Sequence, residues 1–288
     1  HHTIPLSGLA NHTVPAVDVN GDTYLGTEGG RVHAFTISGD ARWTTDVKGR
    51  VLGRPTLDRD GRLFVLWSDG ANFAPGNDRP TAIVALDTAD GDELFRIDAP
   101  TIFSPVAIGN DGGLYVVSYE GDPEAPFEER DPSKFKLRKL NGADGSRAWE
   151  WNPGGFVLQP AVLPDGDLLL VVTTGAIAVA RMDPVTQELR WRRDGFSFLG
   201  RPSIATGNLA FLGCDSMLCE LDLGSGETRR TFGSAEYPVP YAPAILDGWV
   251  VANTNGVNVG FFVGSGLQLE TRGWPRYGAD NHMTSRAP

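Results

Sequence analysis

Reactive chemistry has few places to sit in this chain of 288 residues. Arg54 and Arg201 each stand directly before a proline, and a guanidinium offers a planar donor set suited to a carboxylate- or sugar-bearing ligand. The same place before a proline recurs as Val14, Ser104, Gln159 and Ala242, with Leu52, Phe103, Leu158, Leu199 and Tyr241 close by. If these positions share one opening, Arg54, Ser104, Gln159, Arg201 and Tyr241 make a candidate ligand-binding ring. The other reading is that the arginines pair with carboxylates of an acidic protein. Cys214 and Cys219, in LGCDSMLCELD, are spaced for a disulfide across a hairpin, which suits an oxidising compartment, or are two small core residues. Asp18, Asn20 and Asp22 in DVNGD form the one cluster of oxygens that comes close to a calcium loop. Against that stands Asn20-Gly21, a pair that makes tight turns.

Catalytic groupings are scarce. With His1 and His2 set aside as the remnant of a tag, only His12, His33 and His282 remain, and no HExxH, GxSxG, P-loop or CxxC occurs. The formal charge of −11 and sequence pI near 4.9 argue against nucleic acid and anionic membrane as partners. No apolar run approaches the length that spans a bilayer. Two stretches are long and polar: SDGANFAPGNDRPT (68–81), with Asn72, Asn77 and Arg79, and EGDPEAPFEERDPSKF (120–135), with Glu120, Asp122, Glu128 and Arg130. The second is acidic and would recruit a basic partner or a divalent cation, or is a solvated surface.

The elements that position these residues are written in a repeat. VPAVDVNGDTYLGT (14–27), RPTLDRDGRLFVLW (54–67), SPVAIGNDGGLYVVSY (104–119), QPAVLPDGDLLLVVT (159–173), RPSIATGNLAFLG (201–213) and APAILDGWVVANT (242–254) share one plan. Each has a proline, a short apolar run, a Gly-containing turn and a second run rich in β-branched residues. The prolines 15, 55, 105, 160, 202 and 243 recur every 40 to 55 residues, a period that points to a propeller or solenoid. A second half follows in each unit, as in IVALDTADGDELF (83–95) and AVARMDPVTQELRW (178–191), so each unit is four short strands with no room for a helix. The sixth, NVGFFVGSGLQLETRGW (258–274), is looser. Asp60-Gly61, Asp111-Gly112, Asp165-Gly166 and Asp247-Gly248 sit where two strands join and read as hairpin turns rather than cation loops.

From about residue 13 to 274 the pattern resembles the pyrroloquinoline-quinone (PQQ)-like propeller repeat. The resemblance implies that Trp43, Phe95, Trp149, Trp191 and Phe232 pack between neighbouring blades. The tail GWPRYGADNHMTSR (273–286) is similar to a segment that flanks such propellers in secreted bacterial proteins. The expected fold is therefore all-β: a six-bladed β-propeller of four-stranded antiparallel blades, seven if the N-terminus is truncated. Residues 1–12 are an extension, and the blades span about 13–53, 54–103, 104–158, 159–200, 201–241 and 242–288.

PQQ itself is not expected, because the adjacent cysteines of the quinone dehydrogenases are absent; no cofactor is expected, calcium being the one cation with a candidate loop. In a propeller the fourth-to-first and second-to-third loops open on one face, so the ring and both polar stretches would share it. The expected function is a non-enzymatic binding or scaffold protein with a protein or glycan partner, periplasmic, secreted or on the cell surface. The alternative is a carbohydrate-active lyase or hydrolase at the same mouth, using Tyr237, Tyr241, Arg54, Arg201 and His12. A quinone-binding redox protein is a third, weaker reading.

Overall fold

In the computed structural model, residues 14–68, 81–98, 101–102, 104–122, 125–175, 177–233, 239, 241–254 and 257–271 are described. Alternating apolar residues between turns give β strands throughout, and the strands group into separate sheets in chain order. Blade 1 holds β1 (Ala16–Val17), β2 (Thr23–Gly26), β3 (Arg31–Phe35) and β4 (Ala41–Asp46); blade 2 holds β5 (Arg50–Leu57), β6 (Arg62–Ser68), β7 (Ala82–Asp87) and β8 (Glu93–Asp98). Blade 3 holds β9 (Ala107–Ile108), β10 (Leu114–Tyr119), β11 (Phe135–Leu140) and β12 (Arg147–Trp151). Blade 4 holds β13 (Ala161–Val162), β14 (Leu168–Val172), β15 (Ala178–Met182) and β16 (Leu189–Asp194). Blade 5 holds β17 (Ser203–Ala205), β18 (Leu209–Cys214), β19 (Met217–Asp222) and β20 (Thr228–Phe232). Blade 6 has three strands among the described residues: β21 (Ala244–Leu246), β22 (Trp249–Thr254) and β23 (Val257–Phe262). Every pairing is antiparallel, as an all-β propeller requires.

The turn between first and second strands has a simple cause. Gly61 sits at φ +80°, a conformation that costs an L side chain strain. Asp58 Oδ1 accepts the amides of Asp60 and Arg62, so the aspartate closes its own turn. Asp18 does the same for Asn20 and Asp22.

The blades are held by apolar layers between them. One cluster joins blades 1 and 2, a second runs through blades 2 to 4, a third joins 4 and 5 and a fourth joins 5 and 6. Among the described residues no such cluster joins blade 6 to blade 1. Fourth-strand aromatics provide the register between blades. Trp43 Nε1 donates to Thr88 O of blade 2 at 2.9 Å, and Trp191 Nε1 donates to Leu223 O of blade 5 at 2.9 Å. Each indole lies on a turn glycine of the next blade, Gly91 and Gly226, where a Cβ would approach the ring to 2.6 and 2.5 Å.

The sixth unit departs from the expected plan. Among the described residues that follow β23, none adds a fourth strand to it. The chain crosses to the inner edge of blade 5, where Leu269 bridges Ala205, Thr206 N donates to Gln268 O and Glu270 N donates to Ile204 O.

Candidate functional site

Proline has no N–H to give a ladder, so within a sheet it belongs at an edge or a bulge. The inner strand of each blade is such an edge, and the anchoring prolines interrupt it. In blade 2, β5 pairs with β6 at Leu52↔Leu66, breaks, and resumes at Thr56↔Phe64, with Gly53 at φ +70° inside the break. Blades 3, 4 and 5 repeat this: single bridges Ile102↔Ser118, Val157↔Val172 and Leu199↔Cys214 precede the break, and β9, β13 and β17 follow it. Arg54, Ser104, Gln159 and Arg201 all fall in these breaks. The sequence repeat found their equivalence but not the upstream half of the strand, because the proline hides it.

The ring is an interior feature more than a rim. Arg54, Ser104 and Gln159 are only 6%, 3% and 7% exposed, Arg201 is half-buried, and Tyr241 stands out at 57%. Gln159 Nε2 donates to Val106 O at 3.0 Å, and Thr56 Oγ1 reaches the same carbonyl at 3.5 Å, tying blades 2, 3 and 4 together. Ser104 Oγ and Gln159 Oε1 are buried with no hydrogen-bond partner. Polar positions at one register, buried in blades 2 to 4 and half-buried in blade 5, give the inner strands a polar layer within an apolar stack.

The second-to-third loop of blade 3 is a built platform. Two 3₁₀ turns, Phe127–Glu129 and Pro132–Lys134, order it, and Asp131 caps the second by accepting from Ser133 N. Beneath them Phe135 packs on Tyr119 at 4.7 Å, Phe156 on Phe135 at 5.6 Å and Phe127 edge-on to Phe156 at 5.3 Å. Asn152 Nδ2 donates to Ser133 O and fixes the platform to the base of blade 3. The sequence reading saw charge here and missed the aromatic floor. Its signal was the spacing of Tyr119, Phe127 and Phe135, one aromatic every eight residues.

The candidate partner-binding residues divide accordingly. Asp122, Glu128, Glu129 and Asp131 are exposed on the platform. Glu120 pairs with Arg138, which also binds Glu150 Oε2 at 2.8 Å. Arg130 is buried, donates Nε to Ala125 O and lies over the rings of Tyr119 and Phe127. Asn72, Asn77 and Arg79 lie outside the described residues, as do Glu124, Tyr237, His12 and His282.

The remaining candidates have local tasks. In DVNGD, Asp18 Oδ2 accepts from the Tyr24 hydroxyl, and Asp22 pairs with Arg42 at 2.7 Å. Their oxygens are therefore engaged by turn amides, a hydroxyl and a guanidinium. Cys214 and Cys219 are joined as a disulfide across the β18–β19 hairpin, with Cα atoms 5.8 Å apart. His33, in β3, bonds Thr44 Oγ1, and burial, then the nearby Arg31 charge, hold its pKa below 6.5. The carboxylates with depressed pKa, among them Asp183, Asp215 and Asp222, are lowered chiefly by hydrogen bonds from their own turns and neighbours. A groove of about 360 Å³ lies at the opposite end of the blades, between Leu163, Arg181, Asn208 and Glu270.

The sequence matches no protein-family model and no curated protein. Solved structures resemble it in fold. BamB from Moraxella catarrhalis aligns over 90% of this chain and 72% of its own, at 16% identity and a TM-score of 0.64. The computationally designed protein Ika8 aligns over 87% of this chain and 70% of its own, at 14% identity and a TM-score of 0.62. These likenesses support the all-β propeller architecture. Among the described residues no helix is long and apolar enough to cross a membrane.

Proposed function

We propose that the chain is a binding or scaffold propeller acting outside the cytoplasm, and that it engages a basic protein surface through the blade 3 platform. The observation that carries this reading is the contrast within one loop. Arg130 is buried over the rings of Tyr119 and Phe127, on a floor made by Phe135 and Phe156, while Asp122, Glu128, Glu129 and Asp131 stand exposed. Such a loop presents carboxylates at little entropic loss on binding, since the scaffold has already ordered them. The platform and the inner-strand breaks sit at the same end of the blades, since the Ile102↔Ser118 bridge lies on the strand that leads into the platform.

The extracytoplasmic part of the proposal rests on the Cys214–Cys219 disulfide, since such bonds persist in oxidising compartments. Polysaccharide cleavage at the mouth has less support: Arg54, Ser104 and Gln159 are turned inward, out of reach of a polymer, and the one described histidine is packed in blade 1. The binding reading needs no cofactor.

The test is capture from an envelope extract by the wild type beside an Asp122→Asn, Glu128→Gln, Glu129→Gln triple variant. Asp131 is left in place because it caps a turn. A protein retained by the wild type, released by moderate salt and lost by the variant supports the proposal. Equal retention by both removes the platform from consideration.

A further inference from the structure

In five blades the outermost strand carries two or more charges. β4 carries Arg42 and Asp46, β8 carries Glu93, Arg96 and Asp98, and β12 carries Arg147 and Glu150. β16 carries Arg190, Arg192, Arg193 and Asp194, and β20 carries Arg229 and Arg230. Charges on an edge strand stop it pairing with a stranger. Among the described residues blade 6 ends instead on β23, whose sequence VNVGFF has no charge, no proline and no bulge. β23 holds the place that β7, β15 and β19 occupy in their blades. Those strands are almost wholly buried, whereas Val257 and Phe262 of β23 are 61% and 58% exposed. Among the described residues no strand pairs with its outer edge.

We propose that this edge pairs with the same edge of a second copy of the chain, joining two blade 6 sheets antiparallel about a two-fold axis. The occupant follows from charge and symmetry. Two copies of a protein at −11 repel one another, and the approach least opposed is through a surface that carries no charge. β21, β22 and β23 together contain no ionisable side chain, and Asp247 in the turn is the one charge they enclose. An antiparallel pair of identical strands is self-complementary, so the contact closes at two copies rather than growing. Backbone hydrogen bonds along about 20 Å of strand supply the contact. The area is well below the ~800 Å² per partner of a standard interface, which places the dimer in the weak range.

The test uses the full chain. Sedimentation velocity from about 1 to 100 μM gives the dissociation constant. Gly260 lies at the middle of β23, and a Cβ there would approach the Trp249 ring at 3.4 Å, an ordinary contact, so Gly260→Lys fits and introduces the charge the other edges have. The expected results are a concentration-dependent dimer, a roughly tenfold or larger weakening in Gly260→Lys, and amide exchange in 257–262 that slows as concentration rises. Asn258→Lys, also on this strand, repeats the test should Gly260→Lys fold poorly. A wild-type monomer throughout the range overturns the proposal. So does a dimer that neither lysine weakens and whose β23 amides exchange at one rate.

Discussion

Replacing Gly226 by alanine tests the joint between blades 4 and 5. Gly226 stands at φ +74°, and a Cβ there would meet Trp191 at 2.5, 2.7 and 2.9 Å, all ring atoms of a side chain locked by its bond to Leu223 O. The left-handed backbone alone costs an alanine about 1 kcal/mol. Forcing a methyl against a packed ring adds roughly 1–3 kcal/mol. Gly226→Ala should therefore lose about 2–4 kcal/mol, read from urea unfolding followed by tryptophan fluorescence. Blade 4 supplies an internal control. Its turn has Gln187 at the equivalent place, with φ +63° and its amide donated to Asp183 O just as Gly226 N is donated to Asp222 O. Gln187→Gly relieves backbone strain while loosening the unfolded chain, so its effect should lie between zero and a gain of about 1 kcal/mol. Opposite outcomes at equivalent positions are the signature of the joint. A Gly226→Ala loss within about 0.5 kcal/mol, the size of an ordinary surface substitution, would refute the argument that the indole seats on bare backbone.

Asp167 is buried and holds both Arg181 and Arg190, so Asp167→Asn should destabilise by about 2–3 kcal/mol in the same assay, the Arg190 share being reduced by its exposure. His33 is kept neutral by burial, so its contribution is whole above pH 6.5 and lost as pH falls from there toward its lower folded pKa. Stability measured from pH 7 to 5 should decline in the wild type and stay flatter in His33→Gln. Reduction of Cys214–Cys219, or the double serine variant, should lower stability by about 2 kcal/mol for so short a loop; a change near zero would mean the hairpin is held by its ladder alone.

The blade plan was legible in the sequence because its determinants are local. Alternating apolar residues, an Asp or Asn before Gly61 and its counterparts, and a proline that cannot join a ladder all act within a few residues of themselves. The seating of the fourth-strand aromatics was legible too, through resemblance to a known repeat. Which candidate residues remain available to a partner was decided only by tertiary structure. Glu120 faces Arg138 eighteen positions away, and Arg130 is covered by one ring from a strand and one from its own loop. The same holds for the inner ring, since the bulge that buries Arg54 and Gln159 depends on a bridge formed with the neighbouring strand before the proline. Blade 6 is the clearest case. Its residues have strand chemistry in every local respect, yet Leu269 finds its partner at Ala205 in another blade, and among the described residues that long-range choice leaves β23 at an edge. Local chemistry sets what each segment can be, and competition among distant partners sets which contacts it keeps.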